Sequence, residues 1–197
     1  KKSTLGSIAS WGGGGTPRKS NPAYWNGLIR WISPKDMKTD RIVDTIDHIT
    51  ELATDESAAK LYDSPSICVV TRSGILRRTL PLSIVDGQFA INQDLKVASN
   101  FRSEIERDFV FRFMQANSEA IRTSCMKSGT TVESIEYRRL LKVSISLPSQ
   151  EEQARINEAI DTALTVVERA VEAAITASTQ LERTKTVVRA RALRGLV

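Results

Sequence analysis

Histidine and cysteine are nearly absent from this chain, and their scarcity removes whole classes of chemistry. One histidine, His48, and two cysteines, Cys68 and Cys125, occur in 197 residues. A Ser-His-Asp or Cys-His nucleophile would have one imidazole to draw on, and His48 sits in the acidic stretch Thr45-Ile46-Asp47-His48, where a surface or salt-linked histidine is expected. The cysteines have neither disulfide nor metal spacing, which points to a reducing cytoplasm and makes Cys68, inside Ile67-Cys68-Val69-Val70, a small buried side chain. The acids do not cluster at metal-nuclease spacing and no glycine-rich cofactor loop follows a strand in the required way, so neither a metal nor a cofactor is expected. No apolar run approaches the ~20 residues of a membrane span, and Lys1-Lys2 is followed by Ser, Gly and Trp rather than an apolar core, so neither a membrane segment nor a signal peptide is expected.

Two short matches to catalytic motifs also fail. Asn21-Pro22-Ala23-Tyr24 lacks the second proline of the motif with which adenine methyltransferases hold a flipped base. Gly12 to Ser20 ends in Lys-Ser like a phosphate-binding loop, but Arg18 stands where glycine must precede the lysine. Catalysis is therefore expected from a partner chain.

Glycine and proline are missing altogether from Ser149 to Arg194, directly after Leu147-Pro148, and here the absence predicts one very long helix. Ser149 and Glu152 have capping-box spacing at its start. At about 1.5 Å per residue the helix extends roughly 65 to 70 Å, far beyond a small domain. Counting in sevens, one line carries Ile160, Val167, Ala174, Leu181 and Val188, and a second carries Leu164, Val171, Ser178, Lys185 and Ala192. Small residues beside them (Ala163, Ala170, Ala173, Ala177) permit a close partner helix. Such a helix is a spacer, an interface or both; the alternative is a helix packed on its own domain. Removing it leaves residues 1–148, the size of one ordinary domain, and places the helical unit at 149–197.

Charge is segregated along the chain. The formal net charge is +5 and the sequence pI is near 9.4. Lys and Arg at 1, 2, 18, 19, 30, 35 and 38 face the single acid Asp36, whereas residues 39–63 hold seven acids against Arg41 and Lys60. Arg183, Lys185, Arg189, Arg191 and Arg194 close the helix with no acid among them. They complement the helix dipole and offer a second anion-binding surface. The basic front favours nucleic acid, and the acidic segment is expected to face away from it.

Apolar runs bounded by turn residues predict strands at Leu28 to Ser33, Ser66 to Thr71, Leu82 to Val85, Ala90 to Val97 and Val143 to Leu147. Helical spacing covers Glu104 to Ser124 and Ser134 to Leu141, while Gly129-Thr130-Thr131 turns the chain. Strands and helices without regular alternation make an α+β mixed-sheet domain. The Gly12 to Gly15 loop fits two readings, a tight structural turn or backbone amides brought close to phosphate.

Several stretches, in this order and spacing, resemble one half of the specificity subunit of type I restriction-modification systems. They are Gly14-Gly15-Thr16-Pro17, Tyr24-Trp25, Trp31-Ile32-Ser33-Pro34-Lys35-Asp36-Met37, Asn92-Gln93-Asp94, Ser128-Gly129-Thr130-Thr131 with Ile135, and Leu147-Pro148 with Glu151-Glu152-Gln153 and Ile156. The resemblance covers nearly the whole chain. It implies a target recognition domain that reads half of a bipartite site in double-stranded DNA, and a helix that acts as ruler and docking surface for a methyltransferase subunit, with a restriction (translocase and nuclease) subunit in the larger complex. Full-length members carry two such domains and two helices; this chain has one of each. The resemblance thus implies either a homodimer through antiparallel helices or a fragment of a longer protein.

Base edges are read by paired hydrogen bonds, with Arg and Lys suited to guanine and Asn and Gln to adenine. Arg72, Arg77, Arg78, Asn92 and Gln93 are of these types on expected loops, followed by Arg18, Lys19, Lys35 and Asp36. Asn92 and Gln93 have the alternative of hydrogen bonding within the sheet rim, and Asp36 that of capping a turn. The competing function is a coiled-coil scaffold or oligomerisation protein in which the basic front is incidental.

Overall fold

Ile67-Cys68-Val69-Val70, a continuous apolar run, lies fully buried in the middle strand of a five-stranded sheet. The computed structural model describes residues 1–129 and 131–194, so Thr130 of the expected turn and the last three residues of the expected helical unit lie outside the described residues. In chain order the elements are β1 (Lys2–Thr4), α1 (Leu5–Ile8), β2 (Ser10–Gly13), a 3-10 turn Pro22–Tyr24, β3 (Trp25–Ile32), β4 (Arg41–Ile42), β5 (Asp47–Ile49) and α2 (Glu51–Glu56). They continue with β6 (Leu61–Tyr62), β7 (Ser66–Val70), a 3-10 turn Gly74–Arg77, β8 (Leu82–Val85), β9 (Phe89–Ile91) and β10 (Leu95–Ser99). The last are α3 (Arg107–Ala116), α4 (Ser118–Cys125), α5 (Tyr137–Leu141), β11 (Ser144–Ser146) and α6 (Gln150–Leu193).

Two mixed sheets build the head, which is α+β as the sequence indicates. One has the order β2-β10-β7-β8-β4, antiparallel except for β4 against β8; the other has the order β5-β3-β9-β6, with β3 and β9 parallel. A two-stranded ribbon, β1 with β11, ties the first residues to the last strand. Ile29, Trp31, Ile49, Ala53, Ala59 and Ala90 fill one side of the second sheet, where Trp25 packs edge-on against Trp31 at 5.3 Å between ring centres. Tyr62 stacks on Phe89 and donates its hydroxyl to the Gly13 carbonyl at 2.7 Å; burial pushes that phenol up to about 12. Both cysteines are buried, Cys125 as well as Cys68, and burial raises both thiols.

Three segments depart from the expected elements, each for a visible reason. Ala90 to Val97 is not one strand: β9 belongs to one sheet and β10 to the other, and residues 92–94 carry the chain across. The crossing is fixed by an Asx turn in which the Asp94 amide donates to Asn92 Oδ1 at 3.0 Å. Glu104 to Ser124 is two helices, broken where Asn117 turns its side-chain amide back onto the Phe113 carbonyl at 2.8 Å. The acidic segment 39–63, without an expected element, contributes β4, β5, α2 and β6.

The chain forms two compact units, residues 1–154 and residues 155 onward. The first keeps the opening turn of α6. Ser149 Oγ accepts the Glu152 amide at 3.3 Å, and Gln153, buried at 1% exposure, donates to the carbonyls of Glu104 and Pro148 and accepts the Glu106 amide at 2.9 Å. The second unit is helix through Leu193 and exposed at every described position from Asp161 onward. Leu164, Val167, Val171, Leu181 and Val188 of the expected seam are each about half exposed, and Val166 and Ile175 lie exposed as well. Ile160 is half-buried and Ala174 exposed. No helix among the described residues is long and apolar enough to cross a membrane.

Candidate nucleic-acid interface

Three segments far apart in sequence meet at an open cleft of about 550 Å³. The loop after β2 contributes Thr16 and Lys19, the exit of β3 contributes Ser33, Pro34 and Lys35, and the sheet crossing contributes Asn92, Gln93 and Asp94. Trp31 forms a wall, and Asp47 and Ser73 complete the lining. Trp31 Nε1 donates to the Gly15 carbonyl at 3.0 Å, and Thr16 Oγ1 donates to Gln93 Oε1 at 2.6 Å, so the glycine loop is stitched to β3 and to the sheet crossing.

The sequence-predicted residues divide into those free to reach a ligand and those spent on the fold. Lys19, Lys35 and Gln93 are exposed in the cleft. Arg18 is exposed beside it, and its carbonyl accepts Trp25 Nε1 at 3.3 Å. Asn92 is only 6% exposed and gives its side chain to Asp94: Nδ2 donates to Asp94 Oδ2 at 3.3 Å while Oδ1 takes the Asp94 amide. Asp36 caps its turn, with Oδ2 accepting from the Ser33 amide and hydroxyl, each at 2.8 Å, and Oδ1 accepting from the Ile46 amide at 2.9 Å. For these two residues the geometry is that of the structural alternative.

The three arginines of the loop differ among themselves. Arg72 Nε pairs with Asp94 Oδ1 at 2.6 Å and Arg77 Nε with Glu133 Oε1 at 2.5 Å. The hydrogen bond from Arg77 holds the Glu133 carboxyl below the ordinary glutamate range. Arg78 is exposed and has no side-chain partner among the described residues.

Not all of the basic front is available. Arg30 donates to the carbonyls of Ile42, Val43, Asp86 and Gln88 and so braces the back of β3. His48 pairs with Asp44 at 2.9 Å, the salt-linked position expected of it. Thr16, Ser73 and Asp47 escaped the sequence reading as cleft residues. Thr16 carried a signal in its place beside the glycines, whereas Asp47 belongs to the acidic segment expected to face elsewhere. Among the described residues no three His, Cys, Asp or Glu side chains are grouped to hold a metal ion.

A mixed-sheet head with an open cleft lined by lysines and amides is followed by a single long helix. The type I restriction modification DNA specificity domain matches residues 1–177. The chain belongs to that family.

Two curated relatives carry the same signal. The specificity subunit of the type I restriction enzyme EcoR124I/EcoR124II of Escherichia coli is 36% identical over 159 residues, which cover 80% of this chain and 39% of that protein. The specificity subunit of the type I restriction enzyme MjaIX of Methanocaldococcus jannaschii is 26% identical over 161 residues, covering 77% and 34%. Among solved structures, a chain from work on assembly and conformational transition of the type I R-M system superposes with a TM-score of 0.75 at 19% identity, covering all of this chain and 46% of that one. The HsdS subunit from Thermoanaerobacter tengcongensis gives a TM-score of 0.69 at 18% identity, covering all of this chain and 45% of that one. The likeness to the solved chains is one of fold. The chain spans less than half the length of each of these relatives.

Proposed function

We propose that this chain is a DNA-reading half of a type I specificity subunit. It binds one half of a bipartite site in duplex DNA and brings a methyltransferase subunit, and through it a restriction subunit, to that site. The observation that carries the reading is the convergence of Thr16, Lys19, Lys35 and Gln93 from separate segments into one open cleft, in a chain of the DNA specificity family. The cleft offers directional donors and acceptors and cations for phosphate, the two kinds of contact that protein–DNA recognition combines. In this reading the chain does no chemistry itself, and it works in the cytoplasm with the enzymes it directs.

The exposed apolar row Leu164, Val167, Val171, Leu181 and Val188 supports a second copy as partner for the helix. Charge favours an antiparallel pair. Glu151, Glu152, Glu158 and Asp161 lie near the start of the helix, and Arg183, Lys185, Arg189 and Arg191 near its end. Two copies then restore the two-domain arrangement of a full-length subunit.

The same apolar row also suits a scaffold without DNA specificity, and a salt titration separates the two. The expected result is preferential binding of a selected duplex over random duplex, with affinity falling on the order of 10²-fold between about 50 and 200 mM salt. Absence of duplex binding at the lower salt would leave the scaffold reading in its place.

A further inference from the structure

We propose, resting on the function just given, that Arg72 and Arg77 read guanine, and that Asp94 and Glu133 are positioning residues that aim them. Each carboxylate grips the inner nitrogen of its arginine: Asp94 Oδ1 lies 2.6 Å from Arg72 Nε, and Glu133 Oε1 lies 2.5 Å from Arg77 Nε. Neither Nη group of either arginine is hydrogen-bonded among the described residues. Other arginines of the head use those groups internally. Arg122 Nη1 donates to the Leu76 carbonyl at 3.0 Å, and Arg30 sends both Nη groups to carbonyls. The side chains of Arg72 and Arg77 are 57% and 70% exposed, whereas those of the acids behind them are 21% and 22% exposed.

The acids are themselves held. Buried Asn92 donates to the other oxygen of Asp94, and the carbonyl of Asp94 accepts the amides of Thr71 and Arg72 at 2.8 and 3.1 Å. The Glu133 carbonyl accepts the Ser73 amide at 3.0 Å, so the two pairs flank Ser73 at the cleft wall. Asn92, singled out by residue type as a base contact, stands two bonds behind one.

Pairing decides which part of DNA these arginines suit. A guanidinium neutralised by a carboxylate at hydrogen-bonding distance has lost most of its long-range attraction for phosphate, but its outer N–H groups keep their direction. A fixed two-pronged donor matches O6 and N7 of guanine in the major groove. Arg78, exposed with no such partner, retains its full charge and suits phosphate.

The test begins with selection by the purified chain from a duplex library with a randomised core, followed by replacement of each selected guanine with 7-deazaguanine, which lacks the N7 acceptor. At one or two positions the replacement is expected to weaken wild-type binding about tenfold and to weaken Arg72→Lys or Arg77→Lys by no more than about twofold. Asp94→Asn is expected to lower the preference for selected over random duplex about tenfold while tightening binding to random duplex, because it frees a cation. A merely structural role would move both in the same direction. Should Asp94→Asn fail to fold, Arg72→Lys, which leaves Asp94 and its bond to Asn92 in place, decides the matter.

Arg78→Ala is expected to weaken selected and random duplexes alike. Equal 7-deazaguanine penalties in wild type and both lysine variants, or selected sites without guanine, would overturn the inference and leave the functional reading standing. A selection that returns no preferred sequence would overturn both.

Discussion

A Cβ built on Gly14 would lie 2.0 Å from the Ile91 carbonyl oxygen and 2.8 Å from its carbon, so Gly14 packs against backbone, not against the far end of a movable side chain. Gly14 answers to close packing rather than to the tight turn or the phosphate contact read for this loop, since no glycine from 12 to 15 has a positive φ. Gly14→Ala is expected to cost about 2 kcal/mol or more in a urea unfolding experiment, since backbone at the sheet crossing must shift to admit the methyl group. Acid sensitivity is also set residue by residue. Glu104, Glu119 and Glu133 are each held below the ordinary value of 4.5 by a hydrogen bond from Arg102, Arg122 and Arg77 respectively. A depressed folded-state pKa contributes stability above the unfolded value, and that stability is lost as pH falls through the folded one. The thermal midpoint of the head should therefore drop progressively below pH 4.5, and Arg77→Ala should remove the share due to Glu133, as thermal scans across that range will read.

At the scale of elements, the start of α6 matters more to the head than its length does. Gln153 serves Glu104, Glu106 and Pro148 with one buried amide, in place of a further core side chain. Gln153→Leu fills the space but strands the Glu106 amide and the Glu104 carbonyl, and it should lower the unfolding free energy of the head by about 1–3 kcal/mol in denaturant titration. The long helix was readable because missing glycine and proline, a capping serine and an apolar repeat act within a few residues of one another. Strands β7 and β8 were readable for the same reason. The break at Asn117 and the crossing at 92–94 were not, because each depends on a side chain choosing backbone over helix or sheet, and that choice is settled by neighbours from elsewhere. The acidic segment hid its strands in the same way: β4 and β6 have two residues each and exist only where β8 and β9 offer an edge.

For the whole molecule, the proposed pairing of two identical chains is a closed two-fold arrangement, and its DNA target inherits that symmetry. Selection with the wild-type chain should return inverted repeats with a fixed spacer. The double variant Val167→Asp, Val171→Asp should sediment as a monomer, bind single half-sites and keep the unfolding midpoint of the head. A dimer that survives this pair of charges would mean that the partner surface lies elsewhere.

The long helix, the α+β class, the buried core strands and the residue types suited to DNA follow from periodicity and composition, because the forces behind them act between near neighbours in the chain. Which of those residues are free to touch a ligand was decided by folding. Thr16 meets Gln93 across 77 positions, Arg77 meets Glu133 across 56, and Arg72 meets Asp94 across 22. Hydrogen bonds and ion pairs of such reach form only after the sheets have closed; Asn92 and Asp36 are spent in local turns with partners two and three residues away, while closure left Lys19, Lys35 and the outer edges of two arginines facing solvent.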